Sequence, residues 1–139
     1  MRTEYVEAVL ALARLIPPGR VLAYGDLAEL LGVGGPRQIG AVMSRYGSSV
    51  PWWRVLRASG QPPRCHEGRA REHYLAEDTP LHRGGEDAAE CRVRMAAARW
   101  QPDDAAWDRI ARLARQAAGT ADVGSAPAVR GDEGNVSAP

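Results

Sequence analysis

The chain has no lysine, no phenylalanine, only two cysteines, and no apolar run near the ~18 residues that a membrane span needs. Each absence excludes something. Without lysine, all 18 basic residues are arginine. That bias fits a GC-rich coding sequence. Its physical consequence is that every cation is a planar fork of donors suited to phosphate oxygens and base edges. Cys65 and Cys91, with His66, His73 and His82, make no zinc-ligand spacing, so no metal or other cofactor is expected. Met1-Arg2-Thr3-Glu4 opens an amphipathic segment rather than a secretory signal, so the expected compartment is the cytoplasm. A disulfide is out of place there, and the cysteines read as two reduced thiols.

Aromatic residues are scarce, at 6%, yet two of the four tryptophans are adjacent in Pro51-Trp52-Trp53-Arg54-Val55. Exposing such a pair to water without a use is expensive. Net charge is only +1, but its distribution is uneven. Residues 37–73 carry seven arginines against two acids, about +5, between two mildly acidic flanks. A basic block around an aromatic pair is the electrostatic footprint of a nucleic-acid face. The plainer reading is a solvated charged surface.

At 139 residues the chain fits one domain with at most a small appendage. Val6, Val9, Leu10, Ala13 and Ile16 set a helical stripe over residues 3–16, with Thr3 as expected N-cap and Pro17-Pro18-Gly19 as its stop. A second helix is expected over Tyr24–Leu31, ending at Gly32, and a third from Pro36 to about Arg45, with Ile39, Val42 and Met43 inward. Two helices joined by a glycine turn form a helix-turn-helix, with Arg37 in the first turn of the second helix.

Val50–Leu56 suggests a short strand or extended loop, and Ala58–Pro63 a wing-like turn. Further helices are expected over residues 69–77 (Tyr74 and Leu75 inward), 86–100, and 102–118. The last carries Trp107, Ile110, Ala111, Leu113 and Ala114 as its stripe. The expected fold class is mainly α. It comprises a winged helix-turn-helix-like DNA-binding domain with a short β element (residues 1–80), a C-terminal helical extension (81–119) and a disordered tail (120–139).

Three segments together resemble a known family. Ile16–Ala28, reading IPPGRVLAYGDLA, resembles the start of the DNA-binding domain of O6-alkylguanine-DNA alkyltransferases. Arg37–Met43 resembles its recognition helix, and Pro51–Val55 aligns with its Pro-Cys-His-Arg-Val active site. Trp52 stands at the alkyl-accepting cysteine and Trp53 at its histidine partner. The combination looks like the alkyltransferase-like branch, which binds alkylated guanine without repairing it. The resemblance covers residues 3 to about 80.

The resemblance implies a set of roles. Arg37 would fill the gap left by a flipped nucleotide, and Tyr24 would push on the neighbouring phosphate. Gly40 and Ala41 would allow close approach to the minor groove. Trp52, with Trp53, Arg54 and Arg64, would form the lesion pocket. For each, a structural role competes: a core aromatic for Tyr24 and the tryptophans, a phosphate contact for Arg37, helix packing for Gly40-Ala41, and scaffolding for Arg54. Chemistry agrees with loss of the reaction, because dealkylation needs a thiolate activated by a neighbouring base and indole offers no such nucleophile.

The expectation is therefore a non-enzymatic sensor, monomeric and nucleoid-associated when bound. It would bind O6-alkylguanine in double-stranded DNA by base flipping and mark it for nucleotide excision repair proteins, with no membrane partner. The alternative is a winged helix-turn-helix transcription regulator. An active alkyltransferase using Cys65 fits less well, since Cys65 follows Arg64 rather than proline and no Arg-Val follows His66.

Overall fold

The structure, a computed structural model, describes residues 2–83 and 90–119. Helix α1 spans Thr3–Leu15. Arg2, in extended conformation, is its N-cap and makes no side-chain cap bond, so Thr3 is the first helical residue rather than the cap. The buried face of α1 is Tyr5, Ala8, Val9, Leu12 and Ala13; Val6 and Leu10 lie at its margin. The inward stripe is thus rotated by about one residue from the one the apolar pattern suggests.

The chain then forms strand β1 (Leu22–Ala23) and helix α2 (Tyr24–Leu31). The Asp26 carboxylate accepts the Ala23 N–H at 2.8 Å, which settles a free donor at the start of α2. Gly32 closes it in the left-handed region, with φ +74. Gly34, at φ +78, makes the turn, and a Cβ there would strike the Tyr5 hydroxyl. Pro36 begins helix α3 (Pro36–Tyr46), and Ile39, Val42 and Met43 are buried as expected.

After α3 come two short 3-10 turns, Gly47–Ser49 and Trp52–Arg54, then strand β2 (Val55–Leu56). Strands β1 and β2 are parallel, with Leu22 opposite Val55 and Ala23 opposite Leu56. This pairing ties the turn after α1 to the Trp pair. Helix α4 covers Glu67–Ala76; Tyr74 is fully buried, but Leu75 is exposed, contrary to expectation.

Where the helix expected over 86–100 is described, at residues 90–100, it gives way to largely non-helical chain and one short helix, α5 (Met95–Ala98). Val93 instead bridges Leu81 and donates its N–H to the Gly60 carbonyl at 2.8 Å. Backbone pairing with distant segments outcompeted the helical preference of an alanine-rich stretch. Residues 86–89 of that expected helix lie outside the described residues, as does the tail expected at 120–139.

Helix α6 (Asp104–Ala117) is capped by Asp103, whose carboxylate accepts the Ala106 N–H at 2.8 Å. Only Ile110 and Ala117 of α6 are fully buried, while Trp107 is 48% exposed. These two buried residues join the core made by α1, α2 and α3. Arg2 donates to the Ala117 carbonyl and Gln116 to the Glu4 carbonyl, so the last helix is fastened to the first. No helix among the described residues is long and apolar enough to cross a membrane.

Candidate nucleic-acid interface

Helix α3 has two faces. Ile39, Val42 and Met43 anchor one in the core. The other carries Arg37, Gly40, Ala41 and Ser44, which recur at helical spacing and so share a side. Arg37 and Ala41 are exposed. Arg37 makes no hydrogen bond or ion pair among the described residues, so its guanidinium is available. Gly40 is half-buried, and a Cβ built there would meet nothing within 4 Å. Internal packing therefore does not require glycine at this place.

Beside this face lies a cleft of about 280 Å³. It is lined by Tyr24, by Gly40, Met43 and Ser44 of α3, by Trp52, and by Pro63, Arg64, His66 and Arg69. The structure thus brings together Tyr24, Gly40, Trp52 and Arg64, which lie up to 40 residues apart in the chain. Arg37 and Ala41 sit on the same helix but outside the cleft lining.

The Trp pair is split by its surroundings. The two rings meet edge to face, 5.6 Å apart at 89°. Trp52 turns to the cleft, with His66 at 5.5 Å and the Arg69 guanidinium 5.4 Å over its ring. Trp53 turns away. It stacks on His73 at 3.5 Å and 5°, and its Nε1–H donates to Glu77 at 2.9 Å. The Tyr74 hydroxyl donates to the Trp53 carbonyl at 2.7 Å.

Arg54 is also outside the cleft. Its Nε and Nη2 donate to the two Glu77 oxygens at 3.2 and 2.6 Å, and Nη1 donates to the Ile16 carbonyl at 2.9 Å. Of the residues expected to form a lesion pocket, Trp53 and Arg54 do not line this cleft; both bond the Glu77 carboxylate instead. Glu77 also accepts the Gly19 N–H at 3.0 Å. Burial would raise its pKa, but the bonds from Arg54, Gly19 and Trp53 and the Arg54 charge outweigh burial and hold it below the ordinary value. Tyr24, partly buried, has its hydroxyl pKa raised by burial, an effect the nearby Arg57 charge partly offsets.

Three important residues escaped the sequence reading. His66 and Arg69 line the cleft, and Glu77 organises its back wall. The basic block announced cations near the Trp pair, but only folding of the segment before α4 and of its first turn selects Arg64 and Arg69. Nothing local to Glu77 signals that its partners are 23 to 58 residues away. Cys65 is exposed and is not among the residues lining the cleft.

Comparison with known proteins identifies the family and the fold. The family described as "6-O-methylguanine DNA methyltransferase, DNA binding domain" matches residues 4–79. A DNA base-flipping protein of Vibrio parahaemolyticus is 31% identical over 61 residues, covering 42% of this chain and 61% of that protein. A DNA base-flipping protein of Escherichia coli is 39% identical over 60 residues, covering 41% of this chain and 46% of that protein. The chain thus spans about half the length of the curated relatives it matches. Among solved structures, S. pombe Atl1 in complex with damaged DNA containing O6-carboxymethylguanine superimposes with a TM-score of 0.62 at 25% identity. The match covers 73% of this chain and all of that one.

Proposed function

Because the chain belongs to the family of the 6-O-methylguanine DNA methyltransferase DNA-binding domain, we propose that it is a non-enzymatic sensor of O6-alkylguanine in duplex DNA. One observation supports the reading: Trp52, which the resemblance sets at the place of the family's alkyl-accepting cysteine, lines a cleft between the outer face of α3 and the segment Pro63–His66 with the first turn of α4. Indole at that point cannot accept an alkyl group, but it can hold a base by stacking, worth about 1–3 kcal/mol.

The proposed sequence of events uses this chain's residues in order. The exposed face of α3 approaches the minor groove, where Gly40 and Ala41 let the backbone come close. Arg37 enters the stack as the damaged nucleotide leaves, and its guanidinium donates to the orphaned base. Tyr24, at the cleft edge, bears on the adjacent phosphate. Flipping costs a few kcal/mol, least for a weakly paired lesion, so the cleft favours damaged over normal guanine. Arg64, His66 and Arg69 face the extruded base. The alkyl group stays on the base, and the bound complex, one protein per lesion, is passed to nucleotide excision repair.

The test is to incubate the protein with a duplex carrying one O6-methylguanine, recover the DNA and analyse its bases. The proposal predicts tighter binding than to the matched normal duplex, with the methyl group still on guanine. Methyl transfer to the protein, at Cys65 or elsewhere, would contradict it.

A further inference from the structure

On the far side of Tyr24 lies a second, shallower groove of about 690 Å³. Tyr24 lines both this groove and the cleft, so it is the ridge between them. Small residues, Ala23, Gly25 and Ala28, line this groove together with Arg57. A strand that delivers a base into the cleft must carry its backbone across the Tyr24 ridge. We propose that Arg57 is a phosphate-binding residue that holds the DNA backbone where it crosses this ridge. The inference rests on the lesion-binding reading only for the direction of the strand.

Arg57 is built for such a task. Its Nε and Nη2 both donate to the Pro62 carbonyl, at 3.2 and 2.9 Å. Its backbone is held in the same turn, with its N–H donating to the Gln61 carbonyl at 3.1 Å and its carbonyl accepting from Gly60 at 2.9 Å. The guanidinium is therefore fixed in place, and little side-chain freedom remains to be lost when a phosphate arrives.

Charge accounting in the groove points the same way. Asp26 is paired with Arg99 at 3.1 Å, and Glu29 is exposed on α2. Arg57 forms no ion pair with any carboxylate among the described residues, although it is half-buried. A half-buried cation held by a neutral carbonyl keeps its charge for an anion from outside. Arg57 and Tyr24 both line this groove, so the cation stands on the same surface as the ridge.

The competing role is structural: Arg57 would merely close the turn to Pro62. Salt dependence separates the two. Affinity for normal and lesion-bearing duplexes is measured across salt concentrations for the wild type, Arg57→Gln and Arg57→Lys. Each phosphate contact contributes about 0.9 to the slope of log K against log salt. The proposal predicts that Arg57→Gln lowers the slope by about one and weakens both duplexes by the same factor, leaving the lesion preference intact. Arg57→Lys keeps the charge and must keep the slope.

An unchanged slope in Arg57→Gln overturns the proposal, and so does a reduced slope in Arg57→Lys. If Arg57→Gln does not fold, Arg57→Met, which keeps the apolar stem, is read by the same criterion. The wild-type preference for the lesion duplex is read separately. Its absence would sink the sensor reading without touching the assignment of Arg57.

Discussion

The indole N–H of Trp53 donates to the Glu77 carboxylate at 2.9 Å, and this bond decides which of two adjacent tryptophans is free to face the cleft. Glu77 is drawn on from three sides, by Trp53, by Nε and Nη2 of Arg54 and by the Gly19 N–H. It therefore joins the turn after α1, the Trp pair and the end of α4 into one back wall. The Trp52 indole makes ring and apolar contacts but no side-chain hydrogen bond among the described residues, and it lines the cleft, so it is the member of the pair that can meet a ligand.

That arrangement has a pH signature. The folded-state pKa of Glu77 lies below its ordinary 4.5, so its contribution to stability is complete above that value and is lost as pH falls through the lowered one. Glu77→Gln is expected to destabilise the protein by about 1–3 kcal/mol near neutrality, because Arg54 loses its counter-charge in a nearly buried site. The variant should also show a shallower acid limb. Thermal unfolding of both proteins from neutrality down to about pH 3 checks the sign. An acid limb identical to the wild type would show that Glu77 is not the group responsible.

Arg37 is exposed and without an ion-pair partner among the described residues. Arg37→Ala should leave the melting temperature close to that of the wild type, as surface changes commonly shift stability by about 0.5 kcal/mol or less. Lesion binding should fall by about tenfold, equivalent to about 1.4 kcal/mol. A titration by fluorescence anisotropy checks it, and undiminished affinity would remove Arg37 from the interface.

Gly40 gives a sharper separation of folding from binding. A side chain there meets open space, and glycine inside a helix is intrinsically unfavourable by about 1 kcal/mol relative to alanine. Gly40→Leu should therefore fold at least as stably as the wild type and yet bind duplex DNA more weakly, because the added side chain fills the cleft and the approach to the groove. Gain of stability with unchanged binding would place the DNA elsewhere.

Trp52→Cys alone should not create a repair enzyme. The thiol would need a base to take its proton, and the adjacent ring, Trp53, offers only an N–H already given to Glu77. Intact-protein mass spectrometry after incubation with O6-methylguanine duplex should show no added methyl group. Methylation of the introduced thiol would mean that another group in the cleft, such as His66, can serve as the base.

The limits of α2 and α3 were legible because their stops are local: Gly32 in the left-handed region and Pro36 at the first helical turn. The inward set Ile39, Val42 and Met43 followed from the same periodicity. What the sequence hid depends on distant partners. The stretch 86–100 looks helical by composition, but Val93 pairs with Leu81 and Gly60, and Arg99 bridges Val21. The cleft members Tyr24, Gly40 and Trp52 could be named through likeness to a family. Moving Trp53 and Arg54 behind the wall required Glu77, whose carboxylate reaches them across more than twenty residues.

The most direct test of the account is the ratio of affinities for matched duplexes with and without one O6-methylguanine, measured for the wild type and for Trp52→Ala. The wild type should prefer the lesion. Removing the stacking wall should cost about 1–3 kcal/mol on the lesion duplex, roughly 5- to 150-fold, with little change on the normal one. A wild-type ratio of one, or a preference that survives Trp52→Ala undiminished, would contradict the claim that Trp52 forms the lesion site.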